Sequence, residues 1–215
     1  MNNCCVASTR ERTEKTHANH LKEIEQTGDF DEVFVGDSIT ENFKYFEQES
    51  LWLDYTFGKK VLNAGVGGDK TSNVLWRLQN GLFDNIRPSK VSLMIGTNNI
   101  EKDNPVAITE AIKLIIEHIH NAVPNAKIKV YAVLPRSMTN PKKNNNIMKK
   151  VCSLNKQVQE MLQVDFQSFT EFIDMSTSFA QGADYEELNQ NLYFDHVHLN
   201  ASGYSVWHKF LKESE

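Results

Sequence analysis

The stretch FDHVHLNASGY, residues 194–204, sets an aspartate and a histidine three positions apart, Asp195 and His198. A carboxylate beside an imidazole fixes its tautomer and stabilises the imidazolium, and an imidazole held in that way can take a proton from a hydroxyl. Three residues on one tight turn are enough to bring the pair together. The plainer alternative is a surface aspartate and histidine with no shared role. Ser38, in VGDSIT at 35–40, offers a suitable hydroxyl. It follows the apolar run Val33, Phe34, Val35 and then Gly36, and it precedes a predicted helix. That puts the hydroxyl at a sheet edge and its N–H near a helix N-terminus, where donors lack partners and the dipole favours anions. Alone, Ser38 reads as a helix cap; with Asp195 and His198 it reads as a nucleophile. His196 and His198 also form an HVH pair, a weak metal signal that no Cys/His cluster reinforces. No metal or cofactor is expected.

A second stretch, GVGGDKTS at 65–72, looks at first like a phosphate cradle. A Walker loop would need glycine at 64 and 69, where Ala64 and Asp69 stand, and Asp69 would put negative charge where phosphate must sit. A dinucleotide fingerprint begun at Gly65 would need glycine at 70, where Lys70 stands. Both patterns fail, leaving Lys70 and Thr71 as the start of a helix. The Gly-x-Ser-x-Gly elbow of the α/β-hydrolases would need glycine at 40, which is Thr40.

The elements that must position these residues alternate along the chain. Strands are predicted at 33–35, 59–65, 90–96, 126–135 and 169–175. Helices are predicted at 10–27, 40–49, 71–82, 105–123, 145–162 and 201–211. Residues 1–9 read as a flexible tail carrying exposed thiols at Cys4 and Cys5, and 140–146 as a polar surface loop. The alternation implies one α/β domain over 10–215, a parallel sheet with helices on both faces. In such sheets ligands bind beyond the carboxyl ends of the strands. Those ends read GDSIT at 36–40, NAGVGGD at 63–69, GTNN at 96–99 and LPRS at 134–137, and they should converge.

GDSIT, GVGGD, GTNN and DHVHL occur in the order of the four sequence blocks of the SGNH hydrolases, also called the GDSL esterase/lipase family. The chain resembles that family over roughly residues 30 to 212. NAGVGGDKTSNVLWRLQNG followed by GTNN looks most like the branch containing the catalytic subunits of intracellular platelet-activating-factor acetylhydrolase. The resemblance implies a three-layer α/β/α sandwich around a flavodoxin-like five-stranded parallel sheet. It implies Ser38 as nucleophile, His198 as base and Asp195 as its orienter. It further implies an oxyanion hole from the N–H of Ser38, the N–H of Gly68 and the side-chain amide of Asn98. Asp37 would support the nucleophile loop, and Asn99 would be a simple turn residue. The implied activity is hydrolysis of short-chain esters, acetyl first, of a lipid or carbohydrate alcohol. The alternatives are longer-chain lipase or thioesterase action, or a non-catalytic binding module on the same fold. Members of that branch pair into dimers, so a homodimer is a partner option.

Composition agrees with a small-molecule ester as partner. The 215 residues carry a formal charge of −5, with 40% hydrophobic and 24% charged residues. Nucleic-acid binding would need a concentrated basic face. Lys142, Lys143, Lys149 and Lys150 cluster only locally, as a solvated loop and helix face. No apolar run suits a transmembrane segment or a secretory signal, so the chain as written reads as cytoplasmic. Three cysteines, two of them adjacent, do not make a disulfide framework, and Cys152 reads as helix packing. Trp52, Trp76 and Trp207 read as core aromatics rather than an acyl pocket.

Overall fold

A computed structural model describes residues 2–138, 144–182 and 185–214. Five parallel strands, β1 (Glu32–Gly36), β2 (Val61–Gly65), β3 (Lys90–Met94), β4 (Lys127–Tyr131) and β5 (Thr170–Ile173), stand in the order β2-β1-β3-β4-β5. This is the flavodoxin-like order expected from the sequence. Every residue of β1 is buried, as a parallel sheet covered on both faces requires. Gly36 pairs in register with both Gly65 and Met94. The loops after β1, β2 and β3 therefore leave the sheet side by side.

The helices are α1 (Glu11–Thr27), α2 (Ser38–Asn42), α3 (Glu49–Thr56), α4 (Thr71–Gln79), α5 (Pro105–Ala122), α6 (Asn144–Asp165) and α7 (Ala201–Glu213). Successive side chains of a strand point to opposite faces, and β1 uses both. Val33 and Val35 join a core with Ile24 of α1, Leu75 of α4, Ile112 and Ile115 of α5, and Val151 and Leu154 of α6. Phe34 joins an aromatic core on the other face with Phe43, Trp52, Tyr55, Tyr204 and Trp207. Trp52 and Trp207 are thus core residues, while Trp76 is only half-buried and packs edge-on against His17. Cys152 lies in the first core.

Four expectations need correction. The segment before α1 is not a loose tail. Asn3–Cys5 form a short 3-10 turn, and Cys4 is 2% exposed. Small side chains let this segment lie flat on α4 and α5, and local polar groups tie it down. Asn2 Nδ2 donates to Ala107 O at 3.0 Å, Thr71 Oγ1 to Cys4 O at 3.1 Å, and Ser8 N–H to Ser72 O at 3.1 Å. Burial, with Asp103 nearby, pushes the Cys4 thiol up to about 11, so it is no exposed reactive thiol. The helix expected over 40–49 is broken, because Tyr45 is extended and Phe46 has φ 63°, which no right-handed helix accommodates. The break lets Phe43 and Trp52 both face the aromatic core. Lys150 is not simply solvated, since its Nζ donates to Ile100 O and Asp103 O at 3.1 and 3.2 Å. Of the expected loop at 140–146, residues 140–143 lie outside the described residues and 144–146 already belong to α6. A short antiparallel pair, β6 (Ala180–Gln181) with β7 (Glu187–Leu188), was not anticipated. Among the described residues no helix is long and apolar enough to cross a membrane.

Candidate active site

Chain direction reverses sharply at the end of β1. A side chain on Gly36 would collide with Thr40 and with the carbonyl of Met94, so only glycine lets α2 start against the strand end. Asp37 caps α2, its Oδ1 accepting the Ile39 N–H at 3.0 Å. It is 1% exposed. Burial pushes its carboxyl up to about 7; Asp69 adds to the shift, while the Ile39 hydrogen bond, His198 and Arg136 oppose it. Ser38 follows, half-buried, and its N–H makes no hydrogen bond among the described residues.

Residues 194–198 form a closed turn. Tyr193 and Leu199 bridge in antiparallel fashion, and the Phe194 N–H donates to His198 O at 2.8 Å. Asp195 Oδ1 accepts the N–H groups of Val197 and His198, each at 2.7 Å. Its Oδ2 stands 2.8 Å from His198 Nδ1. Burial alone would push the Asp195 carboxyl up, but the hydrogen bonds from the His198 ring and the two backbone N–H groups hold it below the ordinary carboxylate value. His198 Nε2 lies 3.0 Å from Ser38 Oγ. Ser38, His198 and Asp195 are thus joined in one line of hydrogen bonds across 160 residues of sequence. His196 turns elsewhere, its Nδ1 lying 3.0 Å from Ser137 Oγ. That contact and the Ser137 N–H to His196 O bond of 3.1 Å stitch the loop after β4 to the histidine turn.

Gly68 and Asn98 stand beyond the ends of β2 and β3, the neighbours of β1. Asn98 Nδ2 donates to Asp69 O at 3.0 Å, linking the two loops. Val66 N–H donates to Gly36 O at 3.1 Å, linking the Gly68 loop to β1. No bond joins Gly68 or Asn98 to Ser38 itself among the described residues. Gly68 has φ 79°, a conformation glycine adopts without strain, and its N–H makes no hydrogen bond among the described residues. One of the two Asn98 amide hydrogens remains beyond the bond to Asp69. Ser38, Gly68 and Asn98 thus each keep a donor without an acceptor among the described residues, on loops that follow three adjacent strands. Asn99 is more than a turn residue. It is 1% exposed, its Oδ1 accepts the Thr71 N–H at 3.0 Å, and its Nδ2 donates to Asp103 at 2.9 Å.

Several charged residues around these loops have partners that the sequence did not reveal. Asp69 is fully buried in an ion pair with Arg77, Oδ2 to Nε 3.0 Å. Arg77 is equally buried and donates to Ala64 O at 2.6 Å and Gly36 O at 3.3 Å, bracing the ends of β2 and β1. Burial pulls the Arg77 pKa down, with Asp69 opposing. Arg136 donates to Thr97 O at 3.3 Å and faces Glu101, Asp195 and Asp37; burial lowers its pKa and those carboxylates oppose the shift. Arg77 was hidden on the otherwise apolar face of α4, beside Val74 and Leu78. Only a charge on that face could have flagged it.

A family model described as the GDSL-like Lipase/Acylhydrolase family matches residues 34–206. Over 187 residues the chain is 33% identical to platelet-activating factor acetylhydrolase IB subunit alpha2 of Homo sapiens, covering 85% of this chain and 75% of that protein. Over 176 residues it is 31% identical to the alpha1 subunit of Rattus norvegicus, covering 80% and 69%. Two solved structures share the fold. A GDSL-like lipase from Bacteroides thetaiotaomicron has a TM-score of 0.72 at 18% identity, covering 94% of this chain and 96% of that one. A carbohydrate acetylesterase from Sinorhizobium meliloti has 0.62 at 16%, covering 85% and 97%.

Proposed function

Given that the chain belongs to the GDSL-like lipase/acylhydrolase family and is a carboxylic ester hydrolase, we propose that it cleaves short-chain esters through an acyl-enzyme on Ser38. Ser38 Oγ gives its proton to His198 Nε2 and attacks the ester carbonyl carbon. Asp195 holds the His198 ring and balances the imidazolium. The tetrahedral oxyanion is met by the N–H groups of Ser38 and Gly68 and by the Asn98 amide. Neutral donors already fixed in place stabilise such a charge without reorganising. His198 then protonates the leaving alkoxide, and water activated by the same ring releases the acid. Asp37 supports the turn as a cap and carries no proton in the reaction. The single observation that carries this reading is the pair of distances, 3.0 Å from Ser38 Oγ to His198 Nε2 and 2.8 Å from His198 Nδ1 to Asp195 Oδ2.

The acyl group in this reading is acetyl, on a lipid or carbohydrate alcohol. The acetylhydrolase and acetylesterase activities named for the relative and for one structural neighbour support it. A hydrolysis panel tests it, comparing acetylated sugars, an acetyl phospholipid, an acyl thioester, and p-nitrophenyl acetate against butyrate and longer esters. The expected result is the highest kcat/KM on acetyl esters. A preference for longer acyl chains or thioesters contradicts the acetyl reading but leaves the mechanism standing. No turnover by folded protein favours a binding module.

A further inference from the structure

The Gly67–Gly68 peptide sits between two glycines, so the torsions that rotate its plane are soft on both sides. A trans peptide holds its C=O and N–H antiparallel. Fixing the Gly67 carbonyl therefore fixes the direction of the Gly68 N–H. The Gly67 carbonyl accepts a hydrogen bond from Arg10 Nη2. The same guanidinium pairs with Asp69 Oδ1 at 3.1 Å. It also lies 3.1–3.4 Å from the position a Gly68 side chain would take. Neighbouring peptides are fixed separately. Gly67 N–H donates to Glu41 Oε2 at 2.8 Å, and that oxygen pairs with Arg12 at 2.9 Å. Asp69 N–H donates to Val66 O at 3.0 Å. Among the described residues, Arg10 alone holds the Gly67 carbonyl, and it comes from the segment just before α1, 57 residues away.

We infer that Arg10 is a positioning residue, one that locks the Gly67–Gly68 peptide so that the Gly68 N–H stays turned away from Arg10 and toward the ester oxygen. This rests on the oxyanion role proposed above for Gly68. The positive charge on the carbonyl side also polarises the peptide, which strengthens its N–H as a donor. Arg10 touches no reacting atom. Asp69 has a second hydrogen bond, from Thr13 Oγ1 at 2.7 Å, which does not involve the peptide. Thr13→Val therefore disturbs the same carboxylate without releasing the Gly67 carbonyl.

The test measures p-nitrophenyl acetate kinetics and thermal stability for wild type, Ser38→Ala, Arg10→Met, Arg10→Lys and Thr13→Val. Losing one oxyanion donor outright costs about 100- to 1,000-fold in kcat, so a donor left free to turn away should cost about tenfold or more. Arg10→Met is expected to lose that much kcat at little-changed KM, and Thr13→Val to keep wild-type kcat while losing some stability. Arg10→Lys keeps the charge but not the planar guanidinium whose Nη2 meets both acceptors, so it should recover only part of the loss. Should Arg10→Met not fold, Arg10→Lys carries the same kcat-against-KM comparison. Added methylguanidinium should raise kcat of Arg10→Met and leave Thr13→Val unchanged. A smaller kcat loss, a loss confined to KM, or an equal loss in Thr13→Val overturns the role of Arg10. Wild-type turnover that survives Ser38→Ala, or no wild-type turnover, overturns the esterase mechanism and the inference with it.

Discussion

Breaking the Asp69–Arg77 pair should be the most damaging conservative change near the site. Both side chains are fully buried, with Oδ2 and Nε 3.0 Å apart. Asp69→Asn keeps the shape but removes the charge that compensates Arg77. An ion left unpaired in the interior costs about 3–5 kcal/mol. The carbonyls of Ala64 and Gly36 still solvate Arg77 at 2.6 and 3.3 Å, which argues for the lower half of that range. For a chain of this length each kcal/mol moves Tm by about 2–4 °C, so a fall of about 6–16 °C is expected. Arg77→Met should cost a similar amount for a different reason, because the Ala64 carbonyl loses its side-chain donor and buried Asp69 loses this counter-ion. Groups in direct contact do not act independently. The double variant should therefore be less destabilised than the sum of the two singles by at least about 1 kcal/mol. Urea unfolding of the four proteins measures this. A cost for Asp69→Asn below about 1 kcal/mol, or strict additivity, refutes the claim that this pair braces the ends of β1 and β2.

Asp37 gives a pH signature. Its carboxyl is raised from 3.8 to about 7 in the folded protein, so the native state holds a proton that the unfolded chain has released between those values. The stability it contributes is fully present below about pH 4 and is lost as pH rises through 7. Asp37→Asn keeps an oxygen for the Ile39 cap and should gain over wild type from pH 4 to pH 7, approaching a plateau on the order of 4 kcal/mol at about 1.4 kcal/mol per pKa unit. Urea midpoints at pH 4, 6 and 8 read the difference, and a gap that does not grow with pH contradicts the buried-carboxyl account. Asp195→Asn should lower kcat by about 1,000-fold or more while the fold and Tm stay close to wild type, since the amide no longer holds the imidazole in the working tautomer or balances its charge. Steady-state kinetics with a thermal melt checks this, and a loss under tenfold would count against the Asp195 role.

What was legible in the sequence followed from local pattern. Val33, Phe34 and Val35 before Gly36 mark a buried strand, and the strand–helix alternation points to a parallel sheet with helices on both faces, while its flavodoxin-like arrangement follows from the family resemblance. Three-residue spacing was enough to pair Asp195 with His198, because one tight turn closes on itself with no help from elsewhere. The phosphate test drew attention to Asp69, but its partner Arg77 was not visible from the local pattern. What the sequence hid were pairings between distant charges. Arg10 and Arg12 read as ordinary polar helix-start residues, and nothing near them announces Gly67 or Glu41. Arg77 looked like a polar position on an apolar face. The segment around Cys4 reads as loose because the contacts that hold it down, from Asn2 to Ala107 and from Ser8 to Ser72, reach residues far along the chain. Asn99 reads as a turn residue because two of its partners, Thr71 and Cys4, lie on segments distant in sequence.

The central claim is that Ser38 is the nucleophile and that His198 activates it. A fluorophosphonate probe reacts with a serine only where a base has made it nucleophilic and an oxyanion site receives the developing charge. Intact-mass analysis after labelling, with peptide mapping, should find one adduct on Ser38 in the wild-type protein. It should find none in Ser38→Ala and a greatly slowed reaction in His198→Ala, both of them folded. An adduct that forms on another residue, or on Ser38 at the same rate without His198, would contradict the account.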